Sequence, residues 1–567
     1  MKINGIGTSK GMAIGTAFIY KKQKLDVALK PIESIETELL HYEAALKKST
    51  EQLKQIIQQT KRQIGEKESQ IFEAHLLLIE DEEFYGVARD MIFEQGVNAT
   101  FATEQANRSF KALFQQMDNI YMRERAADMN DISQRILRNL LGLDSEFKVP
   151  KNAILFCEDL EPSDTAMLNP DYILGFVTEK GGKTSHSAII AQSLGIPAIT
   201  GVAYEKLGIS EGMTILINAD ESYLIANPEE SLQVAFSAQM IQKKLESEKY
   251  EALKYSHGKT RDGLSLEIAA NIADSNKAAK ALEQGADGVG LFRTEFLYMN
   301  RQSLPSVDEQ FQAYKMALEA FGDKPMVIRT FDIGGDKQVD YLNLEPEMNP
   351  FLGYRAIRIS LDRTEMFKDQ LRALIMASVY GNLKVMFPMI SSITEIKQIK
   401  VLIEEVKTEL DEKGIAHRPF EIGIMVEIPV VAVEAKKFAK HVDFFSIGTN
   451  DLLQYTVAVD RMNEKLSHLY NWYHPGLLSL IKNVAASARE AGIWVGICGE
   501  AASDPLLLPF YVGVGIHELS MSSSKVAEIK WNLSTLDQAS CIKVVDLVLD
   551  CETPDEVVEK LSGLTEN

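Results

Sequence analysis

The sequence predicts a multidomain α/β protein: a small α/β domain interrupted by an inserted helical bundle, followed by a C-terminal (β/α)8 barrel of the TIM type. Three observations predict it. From about residue 260 onward, eight short apolar runs alternate with helical stretches, the number such a barrel requires. Residues 31–142 carry helical periodicity with almost no strand signal, between two segments that read as β. The chain has 567 residues, room for three or four domains at about 150 residues each.

Residues 1–20 read as short β segments broken by glycine, and 143–226 return to the α/β pattern through NAILFCEDL, ILGFVTEKGG, PAITGV and MTILINAD. These two stretches are assigned to one domain. The insertion, residues 21–142, contains four helical segments: 32–65, 68–95, 98–117 and 129–143. Residues 227–256 are a charged linker helix, and 257–567 form the barrel. Its eight runs are LSLEIAANI, GADGVGLFRTE, MVIRTFDIGG, KVMFPMI, EIGIMVEIP, VDFFSIGTND, WVGICGE and HELSMS. A doubly wound open sheet is the alternative. The barrel is favoured because Arg293, Arg329, Glu427, Asn450, Asp451 and Cys498 all fall at the C-terminal ends of predicted strands, where a barrel carries its active site.

Lys and Arg number 60 against 81 Asp and Glu, a net charge of −21. That excess disfavours nucleic acid and anionic membrane surfaces as partners. No stretch is long and apolar enough for a membrane span, and the glycine-broken N-terminus is not a signal peptide. The four cysteines, Cys157, Cys498, Cys541 and Cys551, have no CxxC spacing, which suits a reducing cytoplasm better than disulfides or a zinc ribbon.

Two constellations carry chemistry. In GGKTSHSAIIAQSLGIPAITG, Gly181 and Gly182 allow a tight turn, Thr184 and Ser185 offer hydroxyls and an N-cap, and His186 falls in the first turn of a helix. A helix N-terminus favours negative charge, and an imidazole there can carry a phosphoryl group. An ordinary hydrogen-bonded histidine is the bland reading, which the Gly-Gly-x-Thr-Ser-His context outweighs. In the barrel, Arg293 and Arg329 both end strands in an Arg-Thr context, suited to bidentate binding of phosphate and carboxylate. The bland alternative pairs each with an acid, Glu295 or Asp332. Glu427 and Asp451, on successive strands, are a carboxylate pair of the kind that holds Mg²⁺ beside a phosphate. Asn450 and Arg461 add donors. Loop capping is their bland reading, against which their clustering argues. Cys498, flanked by Gly496 and Gly499, is either a core residue or a proton donor or acceptor.

Together GGKTSHSAIIAQSLGIPAITG, GLFRTEFLYMNR, RTFDIGGDK, NPFLGYRAIRI, FSIGTNDLLQYTVAVDR and GICGEAA resemble the enzyme I family of the bacterial sugar phosphotransferase system, the phosphoenolpyruvate–protein phosphotransferases, along essentially the whole chain. The resemblance implies that phosphoenolpyruvate phosphorylates His186 with release of pyruvate, and that the phosphoryl group then passes to a histidine of the phosphocarrier protein HPr. It implies Arg293, Arg329, Asn450, Asp451 and Arg461 as substrate contacts, Glu427 and Asp451 as Mg²⁺ ligands, and Cys498 as the group that protonates the enolate carbon. Lys337 and Arg355 lie in matching segments as weaker candidates. The helical insertion resembles an HPr-binding domain and the barrel a dimerising substrate domain, in a cytoplasmic homodimer. Lys183 departs from the arginine expected in many relatives; it keeps the charge without the bidentate fork.

Rival readings are less consistent with the residues. An ATP-linked relative of phosphoenolpyruvate synthase or pyruvate phosphate dikinase needs an ATP-binding domain, and residues before 145 show only the helical insertion. The nitrogen-linked paralogue carries an extra sensory domain, whereas this chain begins on the first β segment. A non-catalytic relative is disfavoured by the intact residue set. The acidic excess concentrates in the insertion, where Glu66, Glu68, Glu73, Glu80, Asp81, Glu82 and Glu83 stand against Lys67, with Ile71, Leu78 and Ile79 among them. A solvated helix face is the usual meaning of such a run; with the resemblance, it reads as a docking surface for a basic patch on HPr.

Overall fold

The structure is a computed structural model that describes residues 2–21, 25–63, 66–115, 120–143, 149–160, 170–182, 185–299, 301–335 and 339–565. The chain divides into two compact units, Met1–Lys244 and Leu245–Asn567.

The first unit is built on an eight-stranded mixed sheet. Its strands are β1 (Lys2–Asn4), β2 (Ile6–Ser9), β3 (Met12–Ile19), β4 (Ala153–Cys157), β5 (Ile173–Thr178), β6 (Ala198–Thr200), β7 (Thr214–Asn218) and β8 (Tyr223–Ala226), in the order β1-β8-β7-β3-β4-β5-β6-β2. β3 and β4 pair in parallel, with Ala17 opposite Ile154. Parallel neighbours need a crossover, and here the crossover is the whole helical insertion. It comprises α1 (Ile35–Gln63), α2 (Glu66–Ile79), α3 (Glu82–Gln95), α4 (Ala99–Gln115) and α5 (Ile120–Leu140). These helices enclose their own core, with Tyr42, Leu53, Ile92, Ile132 and Leu137 buried, separate from the core that lines the sheet.

Two helix boundaries differ from the sequence expectation. The segment expected as one helix over 68–95 breaks at Glu80 and Asp81 into α2 and α3, and α5 begins at Ile120 rather than Met129. Apolar periodicity locates the core-facing stripe. It is silent across a polar stretch such as MRERAA, which is helical here and whose residues are mostly good helix formers.

Two further helices follow. α6 (His186–Leu194) starts from Ser185 as N-cap and ends at Gly195, whose φ of 66° closes the last turn. α7 (Glu230–Leu253) is one continuous helix, exposed along most of its length.

The second unit is a closed parallel barrel of β9 (Glu267–Ile272), β10 (Val289–Arg293), β11 (Pro325–Arg329), β12 (Asn382–Phe387), β13 (Glu421–Val426), β14 (Phe444–Ile447), β15 (Trp494–Ile497) and β16 (Glu518–Ser522). Each strand lies within one of the eight apolar runs or overlaps it. β16 pairs back onto β9, Glu518 opposite Glu267, and this closure excludes the open sheet. Leu291, Val327, Met386, Met425 and Phe444 fill the interior as one cluster with Cys498. Two of the helices between strands start at reciprocal capping boxes, Ser306 with Glu309 and Ser392 with Glu395. All four cysteines are buried and free. Among the described residues no helix is long and apolar enough to cross a membrane.

Candidate active site

Strand ends position the barrel site. β10 ends on Arg293 and β11 on Arg329; Glu427 and Cys498 each follow their strand by one residue; Asn450 and Asp451 open the helix Thr449–Val457 that follows β14. A βα unit directs whatever follows each strand to one rim. There a cavity of about 430 Å³ gathers Arg293, Arg329, Asn450, Asp451, Arg461 and Cys498, together with Arg355, Asp332, Tyr470 and Trp472.

The cations and carboxylates of this rim are cross-paired. Arg329 donates to Glu295 at 2.7 Å and meets Asp332 at 2.9 Å. Arg355 donates to the other Asp332 oxygen at 2.9 Å and lies 3.8 Å from Asp451. Arg461 lies 3.6 Å from the same Asp451 oxygen. Both acids that the sequence offered as structural partners therefore do bind Arg329. Arg293, by contrast, has no ion pair among the described residues and remains available to an anion. Burial works against the charge of Arg329, but Asp332, Glu295 and Glu427 outweigh it and hold the guanidinium above its usual pKa. Arg355 is held up in the same way, by Asp332 and Asp451 against burial. Asp332, a hub between two arginines, lies within RTFDIGGDK but was weighed in the sequence only as an ion-pair partner. Tyr470 and Trp472 went unnoticed because only an aromatic cluster marked them.

Glu427 sits deeper than expected. It does not line the cavity; it is buried, and its Oε1 accepts the Met389 backbone N–H at 2.6 Å. Burial and then the Asp451 and Asp332 carboxylates push its pKa up to about 8. Its Oε2 is a buried oxygen without a hydrogen-bond partner; Asp451 Oδ1 also lacks a hydrogen bond, although Arg355 and Arg461 stand in ion-pair range. Orphaned buried carboxylate oxygens are costly, and a hard cation relieves that cost, so the donor set fits Mg²⁺. Among the described residues no third His, Cys, Asp or Glu completes a cluster there, which suits an ion that keeps water and substrate oxygens in its shell.

Cys498 donates weakly to the Ile447 carbonyl, 3.7 Å away. Burial pushes its thiol up to about 11, so at neutral pH it is a thiol with a proton to give. Asn450 exchanges hydrogen bonds with Glu500, donating at 3.3 Å and accepting its backbone N–H at 3.1 Å.

The histidine segment lies in the first unit. Gly181 takes φ +98°, a conformation natural to glycine. Ser185 Oγ donates to the Gly182 carbonyl at 2.9 Å and accepts from Ala188 N at 3.3 Å. His186 is the first residue of α6. Its side chain, and all of Lys183, Thr184 and Lys337, lie outside the described residues.

Comparison with known proteins finds three matching domains along the chain. Residues 4–125 match the N-terminal domain of the PEP-utilising enzymes, 149–222 their mobile domain and 247–538 their PEP-binding domain. A phosphoenolpyruvate-protein phosphotransferase of Bacillus sp. (strain S) is 43% identical over 98% of this chain and 97% of that protein. Its counterpart in Priestia megaterium is 43% identical over 98% of each chain. That of Bacillus subtilis (strain 168) is 42% identical, again over 98% of each.

Proposed function

This chain belongs to the phosphoenolpyruvate-protein phosphotransferase family, and from that premise we propose that it transfers the phosphoryl group of phosphoenolpyruvate to its own His186, releasing pyruvate, and then to a histidine of the phosphocarrier protein HPr. The observation that carries the reading is the barrel-rim cavity, which combines four arginines with a protonated thiol.

Arg293, Arg329 and Arg461 bind the phosphate and carboxylate of the substrate, with Asn450 as a further donor. Glu427 and Asp451 would hold Mg²⁺, which supplies charge neutralisation on the phosphate oxygens. The imidazole of His186 attacks phosphorus in line; the P–O bond breaks as the P–N bond forms, and the enolate leaves. Cys498 gives its proton to the enolate carbon, yielding pyruvate. Helix N-terminal N–H groups and the Ser185 cap favour the phosphohistidine. His186 and the cavity belong to different units, so the transfer requires the units to meet, with 227–256 as the hinge segment. A crosslink that holds the units apart is expected to abolish labelling of His186.

Supporting HPr docking on the helical insertion, Glu80, Asp81 and Glu82 are exposed and Leu77 is 72% exposed. Glu73 and Glu80 are already paired with Lys61 and Lys54 of α1. Ile79, expected in this surface, is instead a core residue. The side chains of Glu66, Lys67, Glu68, Ile71 and Glu83 lie outside the described residues. Exposed Leu352, Val430 and Val433 support a homodimer through the barrel, and four buried free cysteines support a cytoplasmic location.

³²P-labelled phosphoenolpyruvate with Mg²⁺ is expected to leave acid-labile label on the wild type and none on His186→Ala, and the label is expected to chase onto HPr. Label retained by the variant overturns the role of His186. Labelling from ATP instead would point to the dikinase class.

A further inference from the structure

The barrel interior holds a row of polar groups for which phosphoryl transfer has no use. Ser446 on β14 is in register with Gly496 on β15, Gly496 with Glu518 on β16, and Glu518 with Glu267 on β9. Parallel neighbours in register present their side chains on one face, with strands about 4.8 Å apart. Cys498 lies two residues beyond Gly496, on the same face. Glu518 is 1% exposed and its Oε1 has no hydrogen-bond partner. Two glycines leave room for that carboxyl: a Cβ at Gly290 or Gly496 would fall against Glu518 Oε1. Two groups of the row bear on the Cys498 thiol, the Ser446 hydroxyl favouring its ionisation and the Glu518 carboxyl opposing it; Ser446 Oγ, like Glu518 Oε1, is buried without a hydrogen-bond partner. At the end of the row Glu267 opens β9 and is only half-buried.

This arrangement answers a need left by the reaction. Once Cys498 has given its proton to the enolate carbon, it is a buried thiolate and must be reprotonated before the next turnover. We propose that Glu518 returns that proton to Cys498 through the Ser446 hydroxyl and is itself recharged from solvent by way of Glu267, at the N-terminal end of the barrel. The inference rests on the reading of Cys498 as the proton donor. The balance closes. The thiolate takes the Ser446 proton, Ser446 takes the Glu518 proton, and the Glu518 carboxylate regains one from water through Glu267. Burial and then Glu267 push the Glu518 pKa up to about 8, with Lys384 acting in the opposite sense. Glu518 therefore holds a proton at neutral pH, and the thiolate is the stronger base.

The test compares two rates in Glu518→Gln. One is net turnover of phosphoenolpyruvate with HPr in excess. The other is isotope exchange between phosphoenolpyruvate and pyruvate, in which the proton lent to the enol carbon is handed back on reversal. Net turnover is expected to fall about tenfold more than exchange. The wild-type net rate is expected to decline as pH rises through about 8, the pKa of Glu518, and the variant to lose that decline. Equal losses in both rates, or no loss in either, overturn the relay. If Glu518→Gln does not fold, Ser446→Ala breaks the same row and must show the same split. Cys498→Ala separates the two readings: pyruvate formed at the wild-type rate by that variant overturns the role of Cys498 itself, whereas its loss beside a normal Glu518→Gln overturns only the relay.

Discussion

The barrel rim and the N-terminus of α6 would handle the same phosphoryl group with opposite means. The rim is a lattice of buried charge in which Arg329 and Arg355 share Asp332, and Arg355 and Arg461 share Asp451. The described part of the α6 segment uses a left-handed glycine, serine hydroxyls and backbone groups; the one lysine of the segment, Lys183, lies outside the described residues. A rim that must select a small trianion gains from fixed cations, whose mutual pairing with carboxylates keeps them in place before substrate arrives. A carrier must take up the group and give it away, and the described part of its segment offers hydroxyls and backbone N–H groups for that task. The two sites differ in grip because they differ in task.

The largest expected effect is at the rim. Arg329→Met removes the guanidinium that pairs with Glu295 and leaves Asp332 with Arg355 alone, in a buried site. It is expected to lower kcat/KM for phosphoenolpyruvate by about a thousandfold and to destabilise the barrel by about 3–5 kcal/mol, read by steady-state kinetics and thermal unfolding. An equally damaging neutral substitution at Ser185 would break the contrast between the sites. Next, Glu427→Gln is expected to weaken Mn²⁺ binding, followed by calorimetry in place of Mg²⁺, by about 100-fold.

Stability against pH sharpens the comparison by sign. The folded Glu518 carboxyl, at about 8 against an ordinary 4.5, holds a proton that the unfolded chain has shed. Its contribution therefore falls as pH rises between those values, by up to about 1.4 kcal/mol per pH unit. Asp220 in the first unit runs the other way. Burial opposes its ionisation, but hydrogen bonds from Lys243 and Gly11 outweigh that and hold its pKa below 3.8. Its contribution is present above 3.8 and lost in acid. Unfolding of Glu518→Gln and Asp220→Asn across the pH range measures both slopes. The smallest effect is at the histidine helix: Ser185→Ala removes the N-cap hydrogen bond, at a cost of about 1 kcal/mol, and slows phosphorylation without changing the affinity of the rim for substrate.

Much of this was legible in the chain. Alternation of apolar runs and helices marks all eight barrel strands, and residues at or just beyond the C-terminal end of each strand emerge at one rim, so Arg293, Arg329, Asn450, Asp451 and Cys498 could be located by position alone. Glu427 was located along the chain but not in depth. Its place after β13 did not reveal that it lies behind the cavity, held by Met389. Ile79 looked like part of an acidic surface because a sequence shows neighbours along a helix, not the core beneath it.

Period, caps and turn glycines are local properties, so the sequence by itself determined the order of the elements, the crossover insertion and the positions of reactive residues at strand ends. Which charges pair, which oxygens are orphaned and which residues align across strands depend on barrel closure, where β16 meets β9 and Glu518 comes to stand opposite Glu267. Only the tertiary structure decided these. Burial sets the dielectric around each group, and burial is created by segments distant in sequence.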